Sequence, residues 1–183
     1  MESRIINALS EKERNRLAPY FHPVELHLNQ QLVEAGDLIA SVYFLRDCVT
    51  STIVDTAEGA TIEVGLMGAE GMVGVSLLLG RSVSNTTVIV QMAGSAIRMS
   101  ADDFRRYVVE PRSEMFELLL HYADAFIAMV AQTAACNSVH SVEQRLARWI
   151  LMTHDHVRRD EFSLTQEFLA YMLGVRRPSV SLA

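Results

Sequence analysis

Two adjacent guanidiniums, Arg176 and Arg177, followed by Pro178 and the hydroxyl of Ser179, are the most pointed chemistry in this sequence. They fall at the start of what the stretch 164–180 predicts to be the second helix of a helix-turn-helix, where side chains meet phosphates and base edges. The residues around them have the required mechanics. Thr165 caps a first helix, Ala170 is small where two helices must approach, Gly174 permits a left-handed turn, Val175 fills the space between helices, and Pro178 suits a first turn. As an ordinary surface hairpin, the same residues would simply end in two solvated arginines.

Other candidate groups are weaker. His154 and His156 lack a third ligand at helical or hairpin spacing, so they read as a polar helix end. Gly65, Gly68, Gly71 and Gly74 are followed by no lysine and complete no dinucleotide fingerprint; roll turns explain them. His22 and His27 are isolated, short of the His-x-His and glutamate set of a metal-binding cupin. Cys48 and Cys136 are too few for a disulfide framework or a four-cysteine cluster, so no iron-sulfur centre is expected and a reducing cytoplasm fits. Cys136 falls on a predicted long helix, where a thiol sensor or an intersubunit pair is conceivable. A small buried side chain is the plainer reading.

The elements that must position these residues can be read from periodicity. Ser10-Glu11-Lys12-Glu13 forms a capping box for a helix ending near Ala18-Pro19. From Val24 to Met99, short β-rich runs (Val24–Leu28, Val42–Leu45, Thr61–Val64, Thr87–Val90) alternate with turn signals at Gly36-Asp37, Glu58-Gly59 and Ala93-Gly94. An antiparallel β-roll follows from that spacing. The segment 70–80 interrupts it as a short apolar helical turn, and Ser100 caps a further helix that Pro111 closes. From Ser113 to Asn137 a long helix carries two apolar stripes, one more than packing on the roll requires. The surplus predicts a partner helix and a C-terminal half buried across a dimer axis. A new helix begins after Asn137-Ser138, where the acidic excess of the first part gives way to near balance.

The chain has 183 residues, half of them hydrophobic, with a net charge of -6. Disordered and fibrous classes are thereby excluded. Overall acidity does not oppose DNA binding, because the relevant charge is local to the reading face. The apolar stretch 115–136 is broken by Glu117, His121, Asp124 and Gln132, so no membrane span or targeting segment is expected.

Roll, capped short helix, long helix and helix-turn-helix, in that order, resemble the Crp/Fnr family of bacterial transcription regulators. The stretch from Gln132–Asn137 through Glu143–Trp149 to Val180 is especially similar to one branch. The resemblance implies an α+β fold: an antiparallel jelly-roll of the cyclic-nucleotide-binding-like type over 1–112, a dimerisation helix over 113–137, and part of a helix-turn-helix domain over 138–183. It further implies a cytoplasmic, non-enzymatic homodimer whose partners are promoter DNA and RNA polymerase, with no membrane. Arg177 would read a base while Arg176 and Ser179, beside Thr165, dock the backbone. Phe116, Leu119, Ala123, Phe126, Ile127, Val130 and Ala134 would form the dimer interface. An effector would bind near Gly71, Val73, Gly74, Val75 and Ser76 and near Ser84, Asn85 and Thr86.

The sequence departs from that pattern in two informative places. Members that bind cyclic AMP carry Gly-Glu-Leu and an Arg-Ser/Thr-Ala triplet; here the corresponding residues are Gly74-Val75-Ser76 and Ser84-Asn85-Thr86. With neither carboxylate nor guanidinium, cyclic AMP loses its charge partners and is not the expected cofactor, leaving the effector unknown. The sequence also stops at Ala183, inside the expected recognition helix and before the wing, which predicts a truncated regulator. Two other readings stay open: a cupin-like metal-dependent enzyme and a ligand-free protein-interaction module.

Overall fold

A computed structural model describes residues 3–57, 61–157, 161 and 164–182. The turn expected at Glu58-Gly59 lies outside the described residues.

Two short helices open the chain, α1 (Arg4–Ala8) and α2 (Glu11–Leu17), with a tight helical turn at Ala18–Tyr20. Ser10 caps α2 by accepting from the Glu13 amide, as its sequence position predicts. The reciprocal half of the capping box is not made. Glu114, from the far end of the domain, instead accepts from the Ser10 amide and hydroxyl, each at 2.6 Å, while Glu13 turns to Arg16 at 2.7 Å. The reason is tertiary: a guanidinium and a second carboxylate arrive where local pairing alone would have used Glu13.

Among the described residues, eight strands follow: β1 (His22–Leu26), β2 (Gln31–Val33), β3 (Ser41–Leu45), β4 (Val49–Asp55), β5 (Thr61–Met67), β6 (Met72–Val73), β7 (Thr87–Met92) and β8 (Gly94–Ser100). They form two antiparallel four-stranded sheets, in the orders β1-β8-β3-β6 and β2-β7-β4-β5. The segment 70–80 is therefore not wholly helical. Met72 and Val73 pair with β3 before α3 (Val75–Leu78) begins, and Gly74 joins the two at φ 101°. A Cβ there would stand 2.9 Å from Val42 Cγ1, so both backbone and space require glycine.

Ser100 caps α4 (Ala101–Phe104), which runs on through a wider π-type turn at Arg105–Val109. Ser113 then caps α5 (Glu114–Val139). Met115, Phe116, Leu119 and Ala123 of α5 are buried with Phe44, Met72, Met99 and Phe104 in the core beneath the roll. By length and composition α5 could cross a membrane, yet Met115, Phe116, Leu119 and Ala123 of its first half belong to the core. Beyond Ala123 the helix emerges, and Ile127 is 58% exposed.

After α5 come α6 (Val142–Val157), α7 (Gln166–Leu173) and α8 (Arg177–Leu182). Their core is Trp149, Ala170, Met172, Leu173 and Val180. Ile89, from the outer face of the β2-β7-β4-β5 sheet, packs against this cluster. The three helices are thus seated on the sheet, covering a face that carries Ile53 and Leu66, both buried.

Candidate functional site

Three places bring chemistry together: a cavity under the roll, the helix-turn-helix, and the contact between that motif and the sheet.

The cavity has a volume of about 290 Å³ and lies between the roll and α5. Strand geometry creates it. Side chains alternate faces along a strand, so Val64 and Val88 point inward while Glu63 and Ile89, their sequence neighbours, point out. Met67, Met72 and Leu79 close the floor, and Phe126, Ile127 and Val130 of α5 form the opposite wall. Of the expected effector residues, Val73, Gly74, Val75, Ser76, Ser84, Asn85 and Thr86 line this cavity. Gly71 does not. It belongs to the preceding turn, where its amide donates to the Gly68 carbonyl at 2.8 Å and a Cβ would stand 3.0 Å from Tyr122 Oη. Ser84 is committed locally, its hydroxyl donating to the Thr86 carbonyl at 2.7 Å. No charged side chain lines the cavity among the described residues.

The residues expected at a dimer interface divide. Phe116, Leu119 and Ala123 are buried within the chain's own core and have no surface to offer a partner, because the first half of α5 is consumed there. Phe126, Ile127 and Val130 form the cavity wall. Ala134 is exposed, beside the exposed Ala131 and Ala135. The sequence suggested two stripes with different fates, but the core takes Met115 and Leu119 from one and Phe116 and Ala123 from the other, so burial divides α5 along its length.

In the helix-turn-helix, the Thr165 hydroxyl accepts from the Phe168 amide at 3.1 Å and Gly174 adopts the left-handed conformation at φ 61°. The Gly174 amide donates to the Tyr171 carbonyl and that of Val175 to Ala170, which satisfies the orphan carbonyls at the end of α7. Arg176 and Arg177 are exposed and Ser179 is half-buried, all at the start of α8. Arg145, by contrast, turns inward and donates to the Leu173 carbonyl.

The third place was not foreseen. The indole N–H of Trp149 donates to Glu63 Oε1 at 2.9 Å, and both residues are buried. Ser51 Oγ lies 2.5 Å from Glu63 Oε2 and 2.7 Å from Gln91 Oε1. One hydroxyl proton cannot serve two acceptors, so the chain closes either when Glu63 carries a proton and donates to Ser51, or when the Gln91 amide, whose nitrogen otherwise has no partner, turns to donate to Ser51, which then donates to Glu63. Burial pushes the Glu63 carboxyl up to about 7, against the pull of its bonds from Ser51 and Trp149. Nearby, His156 Nδ1 lies 2.9 Å from Glu70 Oε1. Burial raises the Glu70 carboxyl too, but the hydrogen bond and charge of His156 outweigh it and hold the group down to about 2. His156 is thus more than a polar helix end. Glu63 hid in the sequence because a carboxylate on an alternating strand reads as a solvent-facing residue. Only the arrival of α6 makes that face interior. Cys48 and Cys136 are both buried, and burial raises the Cys48 thiol to about 11. No group of three or more potential metal ligands occurs among the described residues.

Comparisons with known proteins give a consistent picture. Residues 23–110 match the cyclic nucleotide-binding domain model and residues 144–183 the Crp-like helix-turn-helix domain model. No curated protein matches the chain. Among solved structures, a crp/fnr family transcriptional regulator from Eubacterium rectale is 13% identical with a TM-score of 0.76, covering 98% of this chain and 83% of its own. The c-di-GMP responsive global regulator CLP of Xanthomonas campestris is 13% identical with a TM-score of 0.72, covering 94% and 89%. FixK2 of Bradyrhizobium japonicum is 9% identical with a TM-score of 0.71, covering 88% and 81%. At these identities the likeness is one of fold.

Proposed function

We propose, from the premise that this chain belongs to the Crp/Fnr family by its cyclic nucleotide-binding and Crp-like helix-turn-helix domains, that it couples occupancy of the roll cavity to DNA binding. It is a ligand-responsive, DNA-binding transcription regulator. The observation that carries the coupling is the shared wall: Phe126, Ile127 and Val130 belong both to the cavity and to the helix that leads into the DNA-binding head. An occupant touches α5 directly, and α5 passes to α6 through only Ser141 and its neighbours.

In the arrangement seen here the head rests on the sheet through Trp149–Glu63 and His156–Glu70. A ligand that favours a different position of α5 shifts the population between seated and released heads, by no more than its differential affinity for the two. We assign base reading to Arg177 and phosphate docking to Arg176 and Ser179, with Thr165 fixing the helix that precedes them. The partner is DNA. The exposed Ala131, Ala134 and Ala135 of α5 support a homodimer through its C-terminal half, with Ile127 at the margin. We place it in the bacterial cytoplasm, acting with RNA polymerase and without catalysis of its own, and read its units as roll, helix and head with boundaries near 112 and 137.

Selection from a random duplex pool by the full-length protein tests this reading. Enrichment of inverted repeats with half-sites about one helical turn apart is expected. Recovery of no preferred sequence, or of one that Arg176→Ala and Arg177→Ala together leave unchanged, would refute it.

A further inference from the structure

We propose that the cavity between the roll and α5 takes a small, uncharged, mainly apolar molecule with one hydrogen-bonding end, in place of an anionic nucleotide. The proposal rests on the regulator reading for its biological meaning but not for its chemistry.

Three observations define the ligand. The first is charge. The cavity lining contains valines, methionines, leucine, isoleucine and phenylalanine, and among the described residues no arginine, lysine, histidine or carboxylate. A cyclic phosphate there would lose its water and gain no counter-ion, which strongly disfavours binding. Arg81, the sole basic residue between the two lining segments 73–76 and 84–86, is exposed and does not line the cavity. A neutral apolar molecule meets the opposite balance, since the walls gain contact and no ion is desolvated.

The second is polarity at one end. Ser76, Asn85 and Thr86 bring hydroxyl and amide groups to the cavity from the two segments flanking Leu79–Val83. Ser84 is occupied by Thr86, so it shapes this rim and leaves recognition to the other three, with Thr52 of β4 as a further hydroxyl in the lining. One carbonyl, amide or hydroxyl on the ligand would satisfy them. The third is size. An apolar cavity of about 150 Å³ accommodates one benzene ring. At about 290 Å³, this one suits two fused rings or an aliphatic chain of similar bulk.

A matched pair of probes isolates charge from shape: 2-naphthamide, which is neutral, and 2-naphthoate, which has nearly the same outline and is anionic. Calorimetry on the whole chain should show 2-naphthamide binding at least tenfold more tightly than 2-naphthoate, with no heat from cyclic AMP. Val130→Trp, on the half-buried wall of α5, should fill the space and abolish 2-naphthamide binding while circular dichroism stays unchanged. Val130→Lys places a cation at the wall and should reverse the preference toward 2-naphthoate, an outcome that mere loss of packing would not produce. Equal or tighter binding of 2-naphthoate or cyclic AMP by the unaltered chain overturns the proposal, as does an absence of 2-naphthamide binding or its indifference to Val130→Trp. If the duplex selection still enriches a site, the ligand class alone has failed; if both fail, the regulator reading goes with it.

Discussion

Replacing Trp149 by Phe should loosen the head from the roll, and the size of the effect follows from what the indole does. Its N–H satisfies a buried carboxyl at 2.9 Å, and its ring meets Phe168 edge-on at 6.3 Å between centroids. A hydrogen bond contributes about 1 kcal/mol to a neutral carboxyl and about 1.5–3 kcal/mol to an ionised one, and the smaller phenyl ring forfeits about 1 kcal/mol more in packing. A loss of about 2–4 kcal/mol is therefore expected. The same contact carries a pH signature. Because Glu63 is pushed up to about 7 when buried against an ordinary value of 4.5, the seated form holds more protons than the open one between those limits. Its stabilising contribution is complete below about pH 4.5 and is lost as pH rises through 7, by at most about 3 kcal/mol. Glu70 works in the opposite sense, contributing above about 4.5 and fading toward 2, so Glu63 governs the interval from pH 5 to 7. The sequence holds one tryptophan, so its fluorescence reports the contact without labelling. Urea titrations at pH 5.5 and 7.5 should show the wild-type contact weaker at the higher pH and Glu63→Gln nearly level. An unchanged slope in Glu63→Gln would refute the assignment of this linkage to Glu63.

Two further outcomes are expected. Gly74→Ala should cost about 2 kcal/mol in thermal melts, combining the strain of φ 101° with a Cβ 2.9 Å from Val42 Cγ1, whereas Gly36→Ala, at φ 92° in open space, carries only the conformational part. Ala134→Glu together with Ile127→Glu should shift sedimentation toward monomer with the melting temperature unchanged; a retained dimer would move the interface away from this face of α5.

The extent to which the fold could be read in advance depended on how local each signal was. The caps at Ser10, Ser100 and Thr165 and the left-handed Gly174 are decided within a few residues, and each stands where the pattern placed it. The helix α1 was not anticipated, since Arg4–Ala8 is too short for a period to show. Burial of Phe116, Leu119 and Ala123 could not be separated from dimer contact, because periodicity reveals an apolar stripe and not what covers it. The cavity was placed by resemblance at two segments, while its third wall on α5 and its apolar interior emerged only once strand alternation was fixed in space. Glu63 shows the limit most clearly: nothing within ten residues of it indicates that Trp149 will arrive from 86 positions away.

The unequal anchoring of α5 gives the molecule a mechanical gearing. Met115 to Ala123 are gripped by the core, and Glu114 is tied back to Ser10, so the helix has a fulcrum near Ala123. At 1.5 Å per residue, Ile127 stands about 6 Å past that point and Val139 about 24 Å. A tilt that moves the near position by half an ångström therefore swings the far end by about 2 Å, enough to part a tryptophan from its acceptor.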